Sequence, residues 1–156
     1  MVNIQRDNSS NAYVLHSEVT LPVSRTTLFD FFSDAFQLEK ITPPWLNFKV
    51  LTPAPIEIQP GTLIDYRLRL RVIPIKWRTE ISTWNPPHSF TDRQLKGPYR
   101  LWVHFHTFEE VEGGTLVTDE VQYRVPGGAL INSLFVKSEL HKIFQYRHDR
   151  MLELFG

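Results

Sequence analysis

The chain contains no cysteine among its 156 residues. Disulfide bonds, thiolate catalysis and cysteine-ligated zinc are therefore excluded. Long hydrophobic runs are also lacking, since no apolar stretch approaches the ~18 residues that a membrane-spanning helix needs. The polar start, MVNIQRDNSSNAY, has no apolar core of the kind found in signal peptides. From these absences we expect a cytoplasmic protein with no integral membrane segment.

Neither sign of charge is in excess, because Lys plus Arg and Asp plus Glu both number 17. A surface that binds nucleic acid needs an excess of positive charge, at least locally. The alternating arginines of residues 67–71, with Lys76 and Arg78, could supply such a patch. A row of this kind is more often a solvated face that discourages edge pairing of strands. We therefore expect no nucleic-acid partner.

Several enzyme motifs are missing as well. The sequence has no nucleophile elbow, no phosphate-binding glycine loop and no HExxH pair. Nucleophilic and phosphoryl-transfer chemistries therefore have little support.

Alternation of apolar and polar residues is the strongest pattern that is present. It predicts seven strands, at residues 12–22, 48–53, 62–72, 75–84, 88–96, 99–110 and 115–125. Helical spacing predicts two short helices after the first strand, at 25–34 and 35–41, and a long amphipathic helix at 129–155. Residues 1–11 are expected to form a loose polar lead to a single domain spanning 1–156. The order predicts an α+β fold in which a curved antiparallel sheet wraps around the last helix.

The covered side of the later strands carries an unusual number of polar groups. Strand parity places five of them there, namely Asp92, Gln94, His104, His106 and Asp119. A sealed core rarely holds so many, because each unpaired group costs roughly 1–3 kcal/mol. The pattern therefore predicts a cavity that holds water or a ligand.

Three interpretations of His104 and His106 remain open. They could form a hydrogen-bond network with Asp119 or Asp92, or they could anchor a ligand in an otherwise apolar cavity. A His-x-His pair on a strand can also bind zinc, with Asp119 or His16 as a third ligand. We assign no metal site and expect no cofactor.

Other residues are expected at the cavity wall. Tyr and Trp offer a large apolar surface with one polar handle, which suits a ring-shaped ligand; the candidates are Tyr66, Trp77, Tyr99, Trp102 and Tyr123. Arg147 on the last helix could bind an anionic ligand group, or it could be a salt-bridged arginine at the helix margin.

The order of elements and several strings resemble the START/polyketide-cyclase-like superfamily (SRPBCC), which has the helix-grip fold. These strings include LPVSRTTLFDFFSDAFQLEKITPPWLNFKVL, GTLIDYRLRLRVIPIKWRTEI, GPYRLWVHFHTFEE and GGTLVTDEVQYRVP. They look most like an uncharacterised bacterial branch of ligand-binding SRPBCC proteins. The resemblance implies a cavity for lipids, sterols, quinones or polyketides under the last helix, and some relatives are cyclases or hydrolases. No catalytic motif of the family carries over to this chain.

We therefore expect a protein that binds or carries a small hydrophobic ligand of lipid, polyketide, quinone or aromatic type. The expected ligand-binding residues are Tyr66, Leu68, Trp77, Asp92, Gln94, Trp102, His104, His106, Asp119, Phe144 and Arg147. The alternative is a cyclase- or hydrolase-like enzyme in which His104 or His106 is a general acid/base tuned by Asp119.

Overall fold

The structure is a computed structural model that describes residues 2–156. Its strands are β1 (Val2–Asp7), β2 (Ala12–Leu21), β3 (Lys49–Val50), β4 (Leu63–Leu70), β5 (Ile73–Asn85), β6 (Ser89–Lys96), β7 (Leu101–Val111) and β8 (Gly114–Arg124). Helix α1 (Arg25–Ser33) is followed by two 3₁₀ helices, Ala35–Lys40 and Pro44–Leu46. The C-terminal helix consists of α2 (Gly128–Ile131), a π-helical turn (Asn132–Val136) and α3 (Lys137–Phe155).

All eight strands form one open sheet in the order β1-β2-β8-β7-β6-β5-β4-β3, and every neighbouring pair is antiparallel. The predicted side-chain alternation is present on β4, where Ile64, Tyr66 and Leu68 are buried and Arg67 and Arg69 are exposed. The α+β class and the helix-grip arrangement, a sheet with a long C-terminal helix, are confirmed.

The expected strand count of seven is wrong, because part of the predicted loose lead at 1–11 is a strand. Strand β1 pairs with β2 along its whole length and buries Val2 and Ile4. With only two apolar residues, this strand has too short an alternation to be recognised from sequence. The Asp7 carboxylate accepts hydrogen bonds from Ser9 and Ser10 and so closes the turn into β2.

Helix α1 begins after Ser24, whose hydroxyl caps the helix by accepting a hydrogen bond from the Thr27 amide. Its apolar face buries Leu28, Phe29 and Phe32. Phe29 packs against aromatic rings of three strands, at centroid distances of 5.0 Å to Trp84, 5.7 Å to Phe90 and 5.4 Å to Phe108. Met151 of the last helix belongs to the same buried cluster, so α1 packs against both the sheet and that helix.

Helix α3 buries Leu140, Phe144, Arg147 and Met151, which recur every three or four residues along one face. Full burial of a Leu or Met side chain stabilises a fold by roughly 1.5–3 kcal/mol, and here an arginine shares that face. Among the described residues, no helix is long and apolar enough to cross a membrane.

Candidate functional site

A cavity of about 180 Å³ lies between α3, strands β4 to β7 and the two 3₁₀ helices. Nine of the eleven expected ligand-binding residues line it: Tyr66, Leu68, Trp77, Asp92, Trp102, His104, His106, Phe144 and Arg147. Most of the wall is apolar, and its charged and imidazole side chains, Asp92, His104, His106 and Arg147, lie together where β6 and β7 face α3. The cavity is therefore a mostly apolar space with one charged and hydrogen-bonding cluster in its wall.

Aromatic side chains form much of the apolar wall. The Trp77 and Trp102 rings meet edge to face at 5.3 Å between centroids, and Tyr99 lies 4.7 Å from Trp102. On the β4 side, Phe48 packs against Tyr66 at 4.9 Å. Such contacts fix the ring orientations, so this part of the wall is held in shape before any ligand arrives.

The polar side is built around two stacked histidines. His104 and His106 lie two residues apart on β7 and therefore face the same way. Their ring centroids are 3.7 Å apart with 23° between the planes, and Phe90 stacks on the other side of His106 at 4.1 Å. Both histidines are buried, with exposed fractions of 7% and 4%.

Each histidine pairs with a different aspartate. Nε2 of His104 lies 2.8 Å from Oδ1 of Asp119, and Nε2 of His106 lies 2.5 Å from Oδ2 of Asp92. An ionised carboxylate can only accept, so both Nε2 atoms carry the proton and donate. The remaining nitrogens face the opposite carboxylates at longer range, 3.9 Å from His104 to Asp92 and 3.6 Å from His106 to Asp119.

Arg147 closes this network from the helix side. Its Nε and Nη2 donate to the two oxygens of Asp119, both at 3.0 Å. Its guanidinium also lies over the Phe32 ring, 5.1 Å from the centroid. Arg147 was considered either as a ligand for an anionic group or as a salt-bridged residue at the helix margin. The structure shows the salt bridge, and Arg147 lies on the buried face of α3.

Burial and hydrogen bonding set the protonation of these groups. Burial, together with the neighbouring His104, lowers the pKa of His106 to about 4 despite its bond to Asp92. Burial alone would raise the pKa of Asp92, but the His106 hydrogen bond and nearby positive charge outweigh it and hold that pKa below its usual range. Burial opposes ionisation of Asp119 too, yet Arg147 and the His104 hydrogen bond keep its pKa well below normal.

A metal could find three donor atoms here, since ligand atoms of Asp92, His104 and His106 lie within 4.8 Å of one another. The stacking of the two rings opposes this use. The lone pair of an imidazole nitrogen lies in the plane of its ring. Because the two ring planes are inclined by only 23°, the lone pairs of the two rings lie in nearly parallel planes and do not point at one common position. They do not meet at the 2.0–2.1 Å expected for a zinc–nitrogen bond, so the residues as placed do not fit a metal without rotation of one ring.

Three expected residues lie outside the cavity wall. Asp119 is behind it, holding His104 and Arg147. Gln94 instead binds the backbone of the following turn, where its amide donates to the Tyr99 carbonyl and accepts from the Tyr99 amide. Tyr123, also expected at the wall, is buried and donates to Asn132.

The suggested third metal ligand His16 is remote from the site and instead lies 3.2 Å from Glu18 on the same strand. Sequence reasoning also missed several wall residues, among them Thr42 and Thr79. Thr79 follows Trp77 by two positions, so strand parity could have found it. Thr42 lies in a loop, where no periodicity applies.

Comparisons with solved structures agree on the fold. Protein Ms6760 from Mycobacterium smegmatis is 19% identical with a TM-score of 0.69, and the match covers 99% of this chain and 97% of that one. Protein CV1439 from Chromobacterium violaceum is 12% identical with a TM-score of 0.71, covering 91% and 96%. Ara h 8.0201 is 16% identical with a TM-score of 0.64, covering 91% and 99%. No curated protein matches the chain in sequence.

A family model identifies the group to which the chain is related. The model described as "Polyketide cyclase / dehydrase and lipid transport" matches residues 21–143, which include both histidines, both aspartates and most of the cavity wall. This range runs from the end of β2 into α3 and so takes in most of the sheet and the start of the last helix. The chain belongs to the polyketide cyclase/dehydrase and lipid transport family.

Proposed function

We propose that the protein binds a small hydrophobic ligand in the cavity under α3 and carries it with one polar group directed at the histidine–aspartate cluster. The observation that supports this most strongly is the cavity itself, about 180 Å³ of mostly apolar space whose charged and imidazole side chains lie together in one cluster. Binding sites for small molecules have this composition, in which apolar walls give affinity and a few polar groups give orientation.

The size of the cavity limits the ligand. An engineered apolar cavity of about 150 Å³ in another protein binds benzene, so about 180 Å³ suits a compact ligand with one or two rings. Each Å² of apolar ligand surface that leaves water contributes about 25 cal/mol. A ligand of this size therefore draws most of its affinity from the aromatic wall.

Binding is favoured over acid–base catalysis by the state of the histidines. A general base works best when its pKa lies near the working pH, whereas the pKa of His106 is lowered to about 4. The Nε2 atoms of both rings are already engaged by carboxylates. A neutral His106, hydrogen-bonded to Asp92 and stacked on His104, suits the recognition of a ligand.

The proposal can be tested with naphthalene as a purely apolar probe, followed by the indole N–H signals of the four tryptophans in NMR spectra. Trp77 and Trp102 line the cavity, whereas Trp45 and Trp84 do not. We expect naphthalene to shift the first two signals in a saturable way and to leave the other two in place. Equal shifts at all four tryptophans, or none at all, would contradict the proposal.

A matched pair of variants localises the binding. Leu68 points into the cavity, whereas Leu63 on the same strand is exposed on the other face. Leu68→Trp should fill the cavity and weaken naphthalene binding at least tenfold, while Leu63→Trp should leave it unchanged. Native mass spectrometry of the purified protein would then identify any molecule that it retains, which Leu68→Trp should lose.

A further inference from the structure

We propose that the cavity selects an uncharged ring compound bearing a hydroxyl group, a phenol or a comparable alcohol, and discriminates against carboxylates. This inference rests on the proposed function, because it concerns the polar group of the ligand that the cavity holds. The inference follows from three features of the cavity, namely the charge of the histidine–aspartate cluster, a free hydrogen-bond acceptor and a free hydrogen-bond donor.

The charge of the cluster disfavours an anionic ligand. Asp92 and Asp119 contribute two negative charges, and Arg147 contributes one positive charge that is already paired with both oxygens of Asp119. Burial keeps His106 neutral. A carboxylate in the cavity would thus face the Asp92 carboxylate, while the basic groups nearby, Arg147 and His104, are already paired with Asp119. Close like charges disfavour binding. The arginine that could have bound an anion is committed to Asp119.

The acceptor on the cavity side is Asp92. Its Oδ2 accepts from His106, while no donor within residues 2–156 engages Oδ1. The side chain keeps 19% of its surface exposed and lines the cavity, unlike Asp119, which keeps 3% and lies behind it. A ligand group that donates a hydrogen bond would give the free Oδ1 of Asp92 a partner.

The donor on the cavity side is Tyr66. Tyr66 lines the cavity, and in the described part of the chain its hydroxyl has no hydrogen-bond partner. Burial and the charge of Asp92 raise the pKa of this phenol, so it keeps its proton and remains a donor. A ligand hydroxyl can donate to Asp92 and accept from Tyr66 at once, which neither a carboxylate nor an ammonium group can do.

The experiment compares three probes that share one ring system, namely naphthalene, 2-naphthol and 2-naphthoate, by titration calorimetry at pH 7. At this pH a phenol-type hydroxyl is uncharged and a carboxylate is ionised. We expect 2-naphthol to bind about tenfold or more tightly than naphthalene, as a hydrogen bond to a charged acceptor provides. We expect 2-naphthoate to bind more weakly than naphthalene.

Two variants connect the preference to the residues. In Asp92→Asn the ratio of naphthol to naphthalene affinity should fall at least threefold, because a neutral carbonyl replaces the charged acceptor, and the discrimination against 2-naphthoate should shrink. Tyr66→Phe removes only the donor and should lower the same ratio about threefold to tenfold. It keeps the ring, so it provides the test if Asp92→Asn does not fold.

The outcomes separate this inference from the function on which it rests. If 2-naphthoate binds as tightly as 2-naphthol, or if both variants keep the full preference, the hydroxyl selection is wrong while ligand binding stands. If none of the three probes binds, the proposed function itself fails.

Discussion

Asp119 accepts a hydrogen bond from His104, although the residue directly across from it in the sheet is His106. Asp92 shows the mirror relationship, since it lies across from His104 and accepts from His106. The diagonal pairing leaves the two rings free to stack between the carboxylates. The result is a cluster in which each histidine is fixed from two sides, and its position does not depend on a bound ligand.

The first prediction concerns the pH dependence of stability. The pKa of His106 is about 4 in the folded protein and about 6.5 when unfolded. The unfolded state therefore binds more protons between these values. The contribution of His106 to the free energy of unfolding is complete above pH 6.5 and decreases as the pH falls towards 4. The loss should reach about 3 kcal/mol, at 1.36 kcal/mol for each pKa unit. Urea unfolding at successive pH values measures it.

His106→Gln is the control for this prediction, because it removes the titrating ring and keeps an amide donor towards Asp92. The slope of stability against pH between 4 and 6.5 should flatten in this variant. An identical slope in both proteins would mean that another group is responsible.

A second prediction concerns the ion pair of Asp119 and Arg147, both buried, with N–O distances of 3.0 Å. Asp119→Asn leaves the guanidinium without its charge partner, and Arg147→Met leaves the carboxylate with His104 alone. Each change should destabilise the fold by about 3–5 kcal/mol, because an uncompensated charge remains buried. Chemical unfolding of both single variants measures these costs.

The double variant Asp119→Asn/Arg147→Met tests whether the two losses share one cause. It should cost clearly less than the sum of the single variants, because the removal of both charges leaves none unpaired. Additive costs would show that the two residues act independently, contrary to the bidentate contact.

Strand parity was sufficient to predict which side chains of β8, Asp119 among them, face the last helix. On β7 parity groups His104 with His106, but it does not decide their side of the sheet, because both faces of that strand are apolar enough to be covered. The pairing partners could not be predicted in this way, because they depend on the register between strands and on the diagonal geometry. Arg147 illustrates the same limit: its helix position indicates the buried margin, but only the packing of α3 on the sheet reveals Asp119 as its partner.

Other errors of the sequence-based predictions have local causes. Gln94 has the parity of Asp92, yet it lies next to the turn at Gly97, where a Cβ atom would come within 2.4 Å of the Gln94 Oε1. The glycine allows the Gln94 amide to bind the Tyr99 backbone instead of facing the cavity. Strand β1 was missed because hydrogen bonds and a turn, rather than a hydrophobic pattern, hold much of it in place.

A third prediction concerns the junction of the sheet and the C-terminal helix. The Tyr123 hydroxyl donates to Oδ1 of Asn132 at 2.8 Å, and both residues are buried. Tyr123→Phe leaves the Asn132 carbonyl unpaired and should cost about 1–3 kcal/mol in the free energy of unfolding. Tyr13→Phe is a suitable control, because that ring stacks on Tyr123 at 5.5 Å but lies closer to the surface. Hydrogen exchange should also speed up at residues 132–136, and an unchanged rate would contradict the anchoring role.

The last prediction concerns metals at the histidine–aspartate cluster. Because the His104 and His106 rings stack at 3.7 Å, their lone pairs do not converge on one ion. Added zinc should therefore raise the melting temperature no more in the native protein than in His104→Gln, and treatment with a chelator should leave it unchanged. A selective stabilisation by zinc that both His104→Gln and Asp92→Asn abolish would show that one ring rotates to bind the ion, and the cavity would then hold a metal centre rather than a hydrogen-bonding one.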